Sequence, residues 1–457
     1  MGTIVESIGE YAAGLSAEHL APNVIDYAKR ILLDSLACGF GGLNSQPACI
    51  VREGVSELGG HPQATILGKG IKTNTQFAAL ANGVAIRYQD YNDVYFGPAW
   101  TAHPSDTIAS VLAAAEWKKC SGIDFLLGLI VAYEVQLRFS DLPVPKNLWH
   151  RGWHHTAACS YAAAAGAGRV LGLNQTQLGH AIALSGARAN TFSEIRHGNI
   201  PMDKALSAPI VASQSILYAI LAKKGFTGCE TLIEGPYGFV NSVAGGVDAK
   251  PLVPTLDDFR IMKIGLKPYP VEGMTPAMVQ AAIELRNEHN IKPNEVQRIR
   301  IFAHEEAVTK PSWDDHKHAP QNKETADHSF YYCTVVGLVA GECTSEQFEQ
   351  KWLQNADVIN LMKLCSLEAK PHLTALFKKG ARPAAVEITT QRGTFLKEIL
   401  YPKGDPNNPM GWGDVTDKFL RQSNNLIDDA LAQRIIEKTK LIEHEKDISQ
   451  FAEMLGG

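Results

Sequence analysis

Two kinds of segment are missing from this sequence: long apolar runs and blocks of basic residues. No run of about 18 apolar residues occurs, and the first residues lack the regions of a secretory signal. Lys and Arg number 43 against 48 Asp and Glu, for a formal net charge of −5. Nucleic-acid binding therefore has no electrostatic basis, whereas a local cationic pocket can still bind a small anion. We predict a cytoplasmic protein with no membrane or nucleic-acid partner.

Metal-ligand spacing is missing as well. The eight cysteines are scattered along the chain, and no two of them form a C-x-x-C pair. This usage is typical of reduced thiols in a reducing compartment rather than of disulfides or a metal site. We therefore expect no metal and no cofactor.

Helical periodicity is abundant in the first part of the chain. After Pro22, apolar residues such as Val24, Ala28 and Ile31 recur at helical spacing. Alanine-rich runs such as Ala157–Ala167 let helices approach closely, which suits a compact bundle. No strand of useful length is predicted in this region.

The pattern changes after Lys267-Pro268-Tyr269-Pro270. Val296–Ala303 alternates apolar and polar residues and predicts a strand, and Arg392-Gly393 between two β-rich runs predicts a hairpin. Ser345–Leu367 is predicted to be helical. A Pro- and Gly-rich linker follows, and Asp414–Leu455 is again helical.

These elements predict a mainly α protein with two domains. A large all-helical domain, residues 1–266, is completed by C-terminal helices within residues 403–457. A smaller α+β domain, residues 267–402, is inserted as a lid.

The first polar segment that can carry chemistry is Asp90-Tyr91-Asn92-Asp93, followed by His103 in an A-H-P-S-D run. A carboxylate beside an imidazole can fix its tautomer and raise its basicity. An equally good interpretation is that Asp93 and Ser105 are a loop residue and a helix cap.

Two further segments precede helices. His154 and His155 lie at a helix start, where backbone N–H groups favour anions. We take His154 as functional and His155 as a surface residue, because adjacent side chains on a helix face different ways. Arg196 precedes Lys204, which leads into an apolar helix; a lysine there can also simply extend to solvent.

The last two segments are the hinge and a later helix. Lys267 can project into a cleft between domains, where ligand sites often form, or be a plain linker lysine. Tyr332 lies four residues after His328 on one predicted helix face and can relay a proton. Aromatic packing explains Tyr332 equally well.

Together and in this order, these motifs resemble the MmgE/PrpD family: D-Y-N-D, A-H-P-S-D, R-G-W-H-x-T, M-x-K, K-P-Y-P and D-H-S-x-x-Y. The family includes 2-methylcitrate dehydratases and cis-aconitate decarboxylases. The resemblance implies a homodimer with an active-site cleft between the helical domain and the lid. Carried over position by position, its catalytic residues are Asp90, His103, His154, Lys204, Lys267 and Tyr332. Asp93 and Arg196 are predicted to bind substrate.

Two positions depart from the family pattern. Val94 stands where many members have threonine, and Glu272–Pro276 lacks a histidine or glutamine expected in several dehydratases. Both departures concern the choice of substrate within the family.

The resemblance implies a metal-independent lyase that dehydrates 2-methylcitrate to 2-methylaconitate, as in propionate catabolism. His154 and His103 would share the acid and base roles, Asp90 would orient one imidazole, and Tyr332 would assist proton transfer. The lysines would offset the charge of a tricarboxylate. The alternatives are a cis-aconitate decarboxylase or epimerase of the same family, and a non-catalytic helical protein that binds small anions.

Overall fold

The computed structural model describes residues 2–188, 191–309 and 315–457. With 58% helix and 9% strand, it confirms the mainly helical prediction. Helices α1–α9 are Ile4–Gly14, Pro22–Gly42, Gln46–Leu58, Thr75–Tyr88, Ile108–Lys118, Gly122–Ser140, Thr156–Val170, Gln175–Gly186 and Asp203–Lys223. Helices α10–α17 are Pro276–His289, Glu305–Thr309, Asp315–His318, Lys323–Ala326, Phe330–Ala340, Gln350–Leu353, Ala356–Met362 and Pro371–Lys378. Helices α18–α20 are Trp412–Ser423, Asp429–Lys440 and Ser449–Met454.

Four strands of two or three residues interrupt the helical part, so the domain predicted to be all-helical is not entirely so. Strands β1 and β2, Ala64–Ile66 and Ile71–Thr73, pair antiparallel. So do β3 and β4, Tyr95–Phe96 and Thr101–Ala102. These pairs are too short for hydrophobic alternation to reveal them. Strands β3 and β4 connect the D-Y-N-D and A-H-P-S-D motifs, so their pairing brings these two motifs together.

Local signals explain where the first helices start. Thr3 Oγ1 accepts from the Glu6 backbone N–H, and the Glu6 carboxylate accepts from the Thr3 backbone N–H. Helix α1 therefore begins with a complete capping box. Pro22 occupies the first turn of α2, where its missing N–H costs nothing.

Small residues allow α6 and α7 to pack closely. A Cβ added to Gly166 would come 2.7 Å from the Gly128 carbonyl oxygen and 2.8 Å from the Ala132 side chain. The backbones are therefore close enough that only glycine fits at Gly166. This contact holds α7, which carries two histidines at its start, at a defined depth in the bundle.

Helix α9 is long and apolar enough to cross a membrane by length and composition alone. It packs against α4, α7 and α8, and 61% of its most apolar window is buried. The core helix of a helical bundle has the same properties. Its first turn carries Lys204.

The α+β part is built on a four-stranded sheet in the order β6-β5-β7-β8. The predicted strand is β5, Val296–Ala303, and the predicted hairpin is formed by β7 and β8, Ala384–Thr390 and Gly393–Ile399. The predicted helix Ser345–Leu367 is wrong in its last residues. They belong to β6, Cys365–Ala369, which pairs parallel with β5, and this tertiary pairing overrides a helix-favouring composition.

The described residues form two large hydrophobic cores. One takes buried side chains from residues 5–266 together with residues 410–455, and the other takes them from residues 271–399. The candidate site lies where these two parts meet.

Candidate active site

A cavity opens between the two parts. Its empty space is about 740 Å³, some of it open to solvent. The helical part contributes Asp90, Trp100, Thr101, His103, Asn147, Trp149, His155 and Arg196. The α+β part contributes Glu272, Gly273, Met274, Lys317 and His328. Aromatic walls and convergent polar groups are typical of a small-molecule site.

Asp90 is the centre of a buried ion network. It follows the end of α4 in a left-handed conformation, with φ of 52°, which is uncommon outside glycine but tolerated by aspartate. Its carboxylate lies 2.7 Å from Lys267 Nζ, 2.9 Å from Arg87 Nη1 and 3.1 Å from Lys204 Nζ. Burial opposes ionisation, but these three cations outweigh it and hold the pKa of Asp90 well below its usual value.

Lys204 joins this network to the α+β part. Its Nζ lies 2.9 Å from Asp327 Oδ1, and Lys323 Nζ lies 2.6 Å from Asp327 Oδ2. Burial lowers the pKa of Lys204 to about 8 despite both carboxylates. Asp90, Asp327 and His328 are close enough to hold a metal ion. However, the Lys204 ammonium contacts all three, so a cation already occupies that position.

Arg196 connects one imidazole of the helical part, His154, with one of the α+β part, His328. Its Nε lies 3.1 Å from His154 Nε2, and its Nη1 lies 3.3 Å from His328 Nε2. A guanidinium only donates, so both Nε2 atoms accept and both rings are neutral with the proton on Nδ1. Burial lowers the pKa of His328 to about 3, in agreement. Arg196 Nη2 has no partner among the described residues, which leaves a donor for an anion.

His103 faces the cavity with a defined tautomer. Its Nδ1 lies 2.6 Å from the Asp93 carbonyl oxygen and must donate to it, so Nε2 keeps a free lone pair. Burial, followed by Arg87, holds the pKa of His103 well below its usual value. The ring is thus a neutral base.

Asp93 is buried beneath His103, away from the cavity. Its carboxyl accepts from Ser105 Oγ at 2.6 Å and from Tyr133 Oη at 2.7 Å. Burial raises its pKa to about 7. Asp93, which was predicted to bind substrate, does not line the cavity, and its backbone oxygen orients His103.

His155, not His154, lines the cavity. The prediction that His155 is a surface residue is wrong: it is 4% exposed, and its Nε2 donates to Asp106 Oδ2 at 3.2 Å. His155 occupies the N-cap position of α7 and His154 precedes it, so the rule that adjacent side chains within a helix diverge does not apply. The His103 and His155 ring centroids are 5.3 Å apart, and their free lone pairs are on opposite nitrogens.

The remaining predicted residues are divided between the site and the core. The structure brings Asp90, Lys204 and Lys267 together, with Arg196 on the cavity wall. Tyr332 does not reach the cavity: its hydroxyl donates to the Gln347 carbonyl at 2.6 Å, inside the second core. Of the two interpretations of Tyr332, the structure matches aromatic packing.

Several residues at the site were not predicted. Asp106 and Asp327 are the acidic members of motifs already noted, and His328 lies beside Asp327. Their presence in those motifs was the available signal. Arg87 belongs to none of the motifs. Its position three residues before Asp90 was the available signal that the two side chains could pair.

Positive charge exceeds negative charge around the cavity. The four cations Arg87, Lys204, Lys267 and Lys323 are paired with the three carboxylates of Asp90, Asp106 and Asp327. Arg196 contacts no carboxylate among the described residues. Lys317 and Glu272 in the cavity lining add one charge of each sign. The excess is therefore two positive charges when Asp93 is protonated and one when it is ionised. Such a cavity attracts a small polyanion and presents it to two neutral imidazoles.

Comparison with known proteins identifies related sequences along the chain. The family profile for the MmgE/PrpD N-terminal domain matches residues 6–252, and that for the MmgE/PrpD C-terminal domain matches residues 269–443. The human cis-aconitate decarboxylase is 25% identical, over 100% of this chain and 95% of the relative. The 2-methylcitrate dehydratase of Escherichia coli O157:H7 is 25% identical, over 90% and 88%. The mitochondrial 2-methylcitrate dehydratase of Yarrowia lipolytica is 24% identical, over 99% and 89%.

Proposed function

The chain belongs to the MmgE/PrpD family, and on that premise we propose that it is a lyase acting on a small tricarboxylate. The relatives named above are a decarboxylase and dehydratases of such acids. Among these activities we propose dehydration of 2-methylcitrate to 2-methylaconitate, with cis-aconitate decarboxylation or an epimerisation as the second candidate.

The excess positive charge at the cavity is the observation that carries this proposal. A tricarboxylate has about three negative charges at neutral pH, because carboxyl groups titrate near pH 4. The unpaired Nη2 of Arg196 supplies a donor for one carboxylate. The Lys204 and Lys267 ammonium groups, buried beside Asp90, stabilise negative charge that develops on the substrate.

Dehydration needs one base and one acid. His103 Nε2 removes the proton from the carbon next to a carboxylate, since Nδ1 is held by the Asp93 carbonyl. His155 protonates the leaving hydroxyl, which departs as water while the carbon–carbon double bond forms. Burial lowers the pKa of His155, so the ring is neutral before a polyanion binds. A bound polyanion, together with the Asp106 carboxylate, stabilises the imidazolium form, whose Nδ1 proton is the one given to the leaving hydroxyl. We assign this acid role to His155, and to His154 the placement of Arg196.

The paired imidazoles favour dehydration over decarboxylation. Loss of CO₂ requires an acid to protonate the resulting carbanion but no base to remove a proton from carbon. A site with a neutral His103 as the base and, 5.3 Å away, His155 protonated beside Asp106 as the acid provides both proton-transfer groups that dehydration uses.

We propose that the reaction is metal-independent, because the Lys204 ammonium occupies the position among Asp90, Asp327 and His328. Aconitases use an iron–sulfur cluster for a similar dehydration. Turnover is expected to survive treatment with a chelator. Loss of activity on chelation, restored by iron or zinc, would contradict this part of the proposal.

The assay that tests the function offers 2-methylcitrate and cis-aconitate side by side. Absorbance of the unsaturated product and release of CO₂ are followed together. We expect absorbance to rise with 2-methylcitrate, without CO₂. Release of CO₂ from cis-aconitate would instead establish the decarboxylase. Calorimetric binding of propane-1,2,3-tricarboxylate without turnover of any tested acid would indicate a non-catalytic anion-binding protein.

A homodimer in the cytoplasm is also proposed. The proposal follows from the family resemblance, which implies a homodimer. Light scattering coupled to gel filtration tests the dimer, and fractionation of cells tests the location.

A further inference from the structure

A buried ion pair outside the cavity links the C-terminal helices to the hinge, the segment Lys267–Pro270 between the two parts. Lys418 on α18 lies 2.7 Å from Asp34 on α2, and the two are 1% and 0% exposed. Neither residue lines the cavity, and neither takes part in the proposed proton transfers. Burying two charges costs more free energy than their attraction usually returns, so stability alone is a weak reason for the pair.

The Lys418 ammonium uses all three of its donors. Besides Asp34, it donates to the carbonyl oxygen of Tyr91 at 2.7 Å and to that of Lys267 at 3.3 Å. It also lies 3.8 Å from the centre of the Tyr91 ring. Tyr91 and Lys267 belong to the D-Y-N-D and K-P-Y-P motifs, so one ammonium holds together two segments that are distant in sequence.

The same two segments meet again at the site. The Lys267 side chain donates to the Asp90 backbone oxygen at 2.8 Å and to its carboxylate at 2.7 Å. The Tyr91 hydroxyl donates to the Pro268 oxygen at 2.9 Å. The contact between Asp90 and Lys267 therefore depends on the relative position of two backbones that Lys418 fixes.

We infer that Lys418, held by Asp34, is a positioning residue that sets the geometry of Asp90 and Lys267 from behind the cavity. The inference rests on the proposed lyase function for its kinetic consequence. Its structural consequence, a hinge anchored to the C-terminal helices, is measurable without any substrate.

The chain offers a matched control on the same helix. Lys29, also on α2, donates to Glu443 at 2.7 Å and to the Lys440 carbonyl at 2.8 Å. This pair also joins α2 to the C-terminal region but touches neither motif. Lys29→Met should lower the melting temperature and leave kcat unchanged.

The test compares Lys418→Met, Asp34→Asn/Lys418→Met and Lys29→Met. A misplacement of catalytic groups by about 1 Å can cost about 100-fold in rate, so we expect kcat of Lys418→Met to fall by about 10- to 100-fold. The double variant has no unpaired buried charge. It should recover melting temperature relative to Lys418→Met while its kcat stays low, a separation that a purely structural role would not produce.

Hydrogen–deuterium exchange tests the anchor directly. Amides around Tyr91 and Lys267 should exchange faster in the double variant than in Lys29→Met. Recovery of wild-type kcat by the double variant, or unchanged exchange at both segments, would overturn the inference. If the wild-type protein turns over no tricarboxylate, the proposed function fails, and the exchange result alone decides the role of Lys418.

Discussion

The two faces of the cavity are built differently. The helical face, with Asp90, His103, His155 and Arg196, is held by buried ion pairs and fixed tautomers. The α+β face contributes Glu272, Gly273 and Met274 from the segment that departs from the family pattern. From this difference we expect changes on the helical face to alter the rate and changes at Glu272–Met274 to alter the choice of substrate.

The largest combined loss of activity and stability is expected from Lys204 on the helical face. Lys204→Met removes a cation that contacts Asp90 and Asp327, so kcat/KM should fall by about 10²–10³-fold. Breaking such a buried network also costs about 3–5 kcal/mol of unfolding free energy. Assays and urea unfolding measure the two. Lys223→Met, at the other end of α9, is the control and should keep wild-type kcat/KM.

The three histidines near the start of α5 and α7 should separate into two classes. His103→Ala and His155→Ala remove the proposed base and acid, and each should lower kcat by about 10²–10⁴-fold. His154→Ala should chiefly raise KM, because His154 contacts Arg196 and does not line the cavity. Steady-state kinetics with 2-methylcitrate distinguishes the classes, and a larger kcat loss in His154→Ala than in His155→Ala would reverse the assignment.

Activity should decline at alkaline pH through the helical face. Burial lowers the pKa of Lys204 to about 8, so kcat/KM should fall as pH rises through that value. In Lys204→Arg the guanidinium stays charged, so any remaining activity should not decline as pH rises through about 8. The free energy of unfolding does not fall with activity over this pH range. Lys204 loses its proton earlier in the folded state than in the unfolded state, so its titration does not destabilise the fold there.

On the α+β face, the expected change is in selectivity. Met274→Ala removes apolar bulk from the cavity wall and should change the ratio of kcat/KM for 2-methylcitrate and citrate by about 10-fold. Met278→Ala, buried in the same core but away from the cavity, should leave the ratio unchanged. An equal ratio of kcat/KM in both variants would show that the α+β face does not discriminate between substrates.

The smallest effect is expected from Tyr332. Tyr332→Phe removes a hydrogen bond to the Gln347 carbonyl and should cost about 1 kcal/mol of stability without changing kcat. Tyr133→Phe is the matched change on the helical side. It removes a donor to Asp93, which orients His103, and should lower kcat. A loss of kcat in Tyr332→Phe would restore the proton-relay role implied by the family resemblance.

The sequence predicted the mainly helical architecture, and its ordered motifs predicted that Asp90, His103, Lys204 and Lys267 meet. Three details depend on how elements are oriented in space. Both His154 and His155 precede α7, so helical periodicity could not show which of them lines the cavity. His328 precedes the start of α14, so it does not share a helix face with Tyr332, which lies in the second core. Cys365–Ala369 becomes a strand only because β5 is beside it.

The helical core combines residues from the start of the chain with residues 410–455, whereas the buried side chains of the α+β core come from the continuous span 271–399. During synthesis, domains fold as units, beginning with those already complete. The α+β part can therefore assemble on the ribosome before the helices of residues 412–454 have been synthesised. Lys418 follows the whole α+β core in the sequence, so the support beneath Lys267 is completed only after that core has been synthesised.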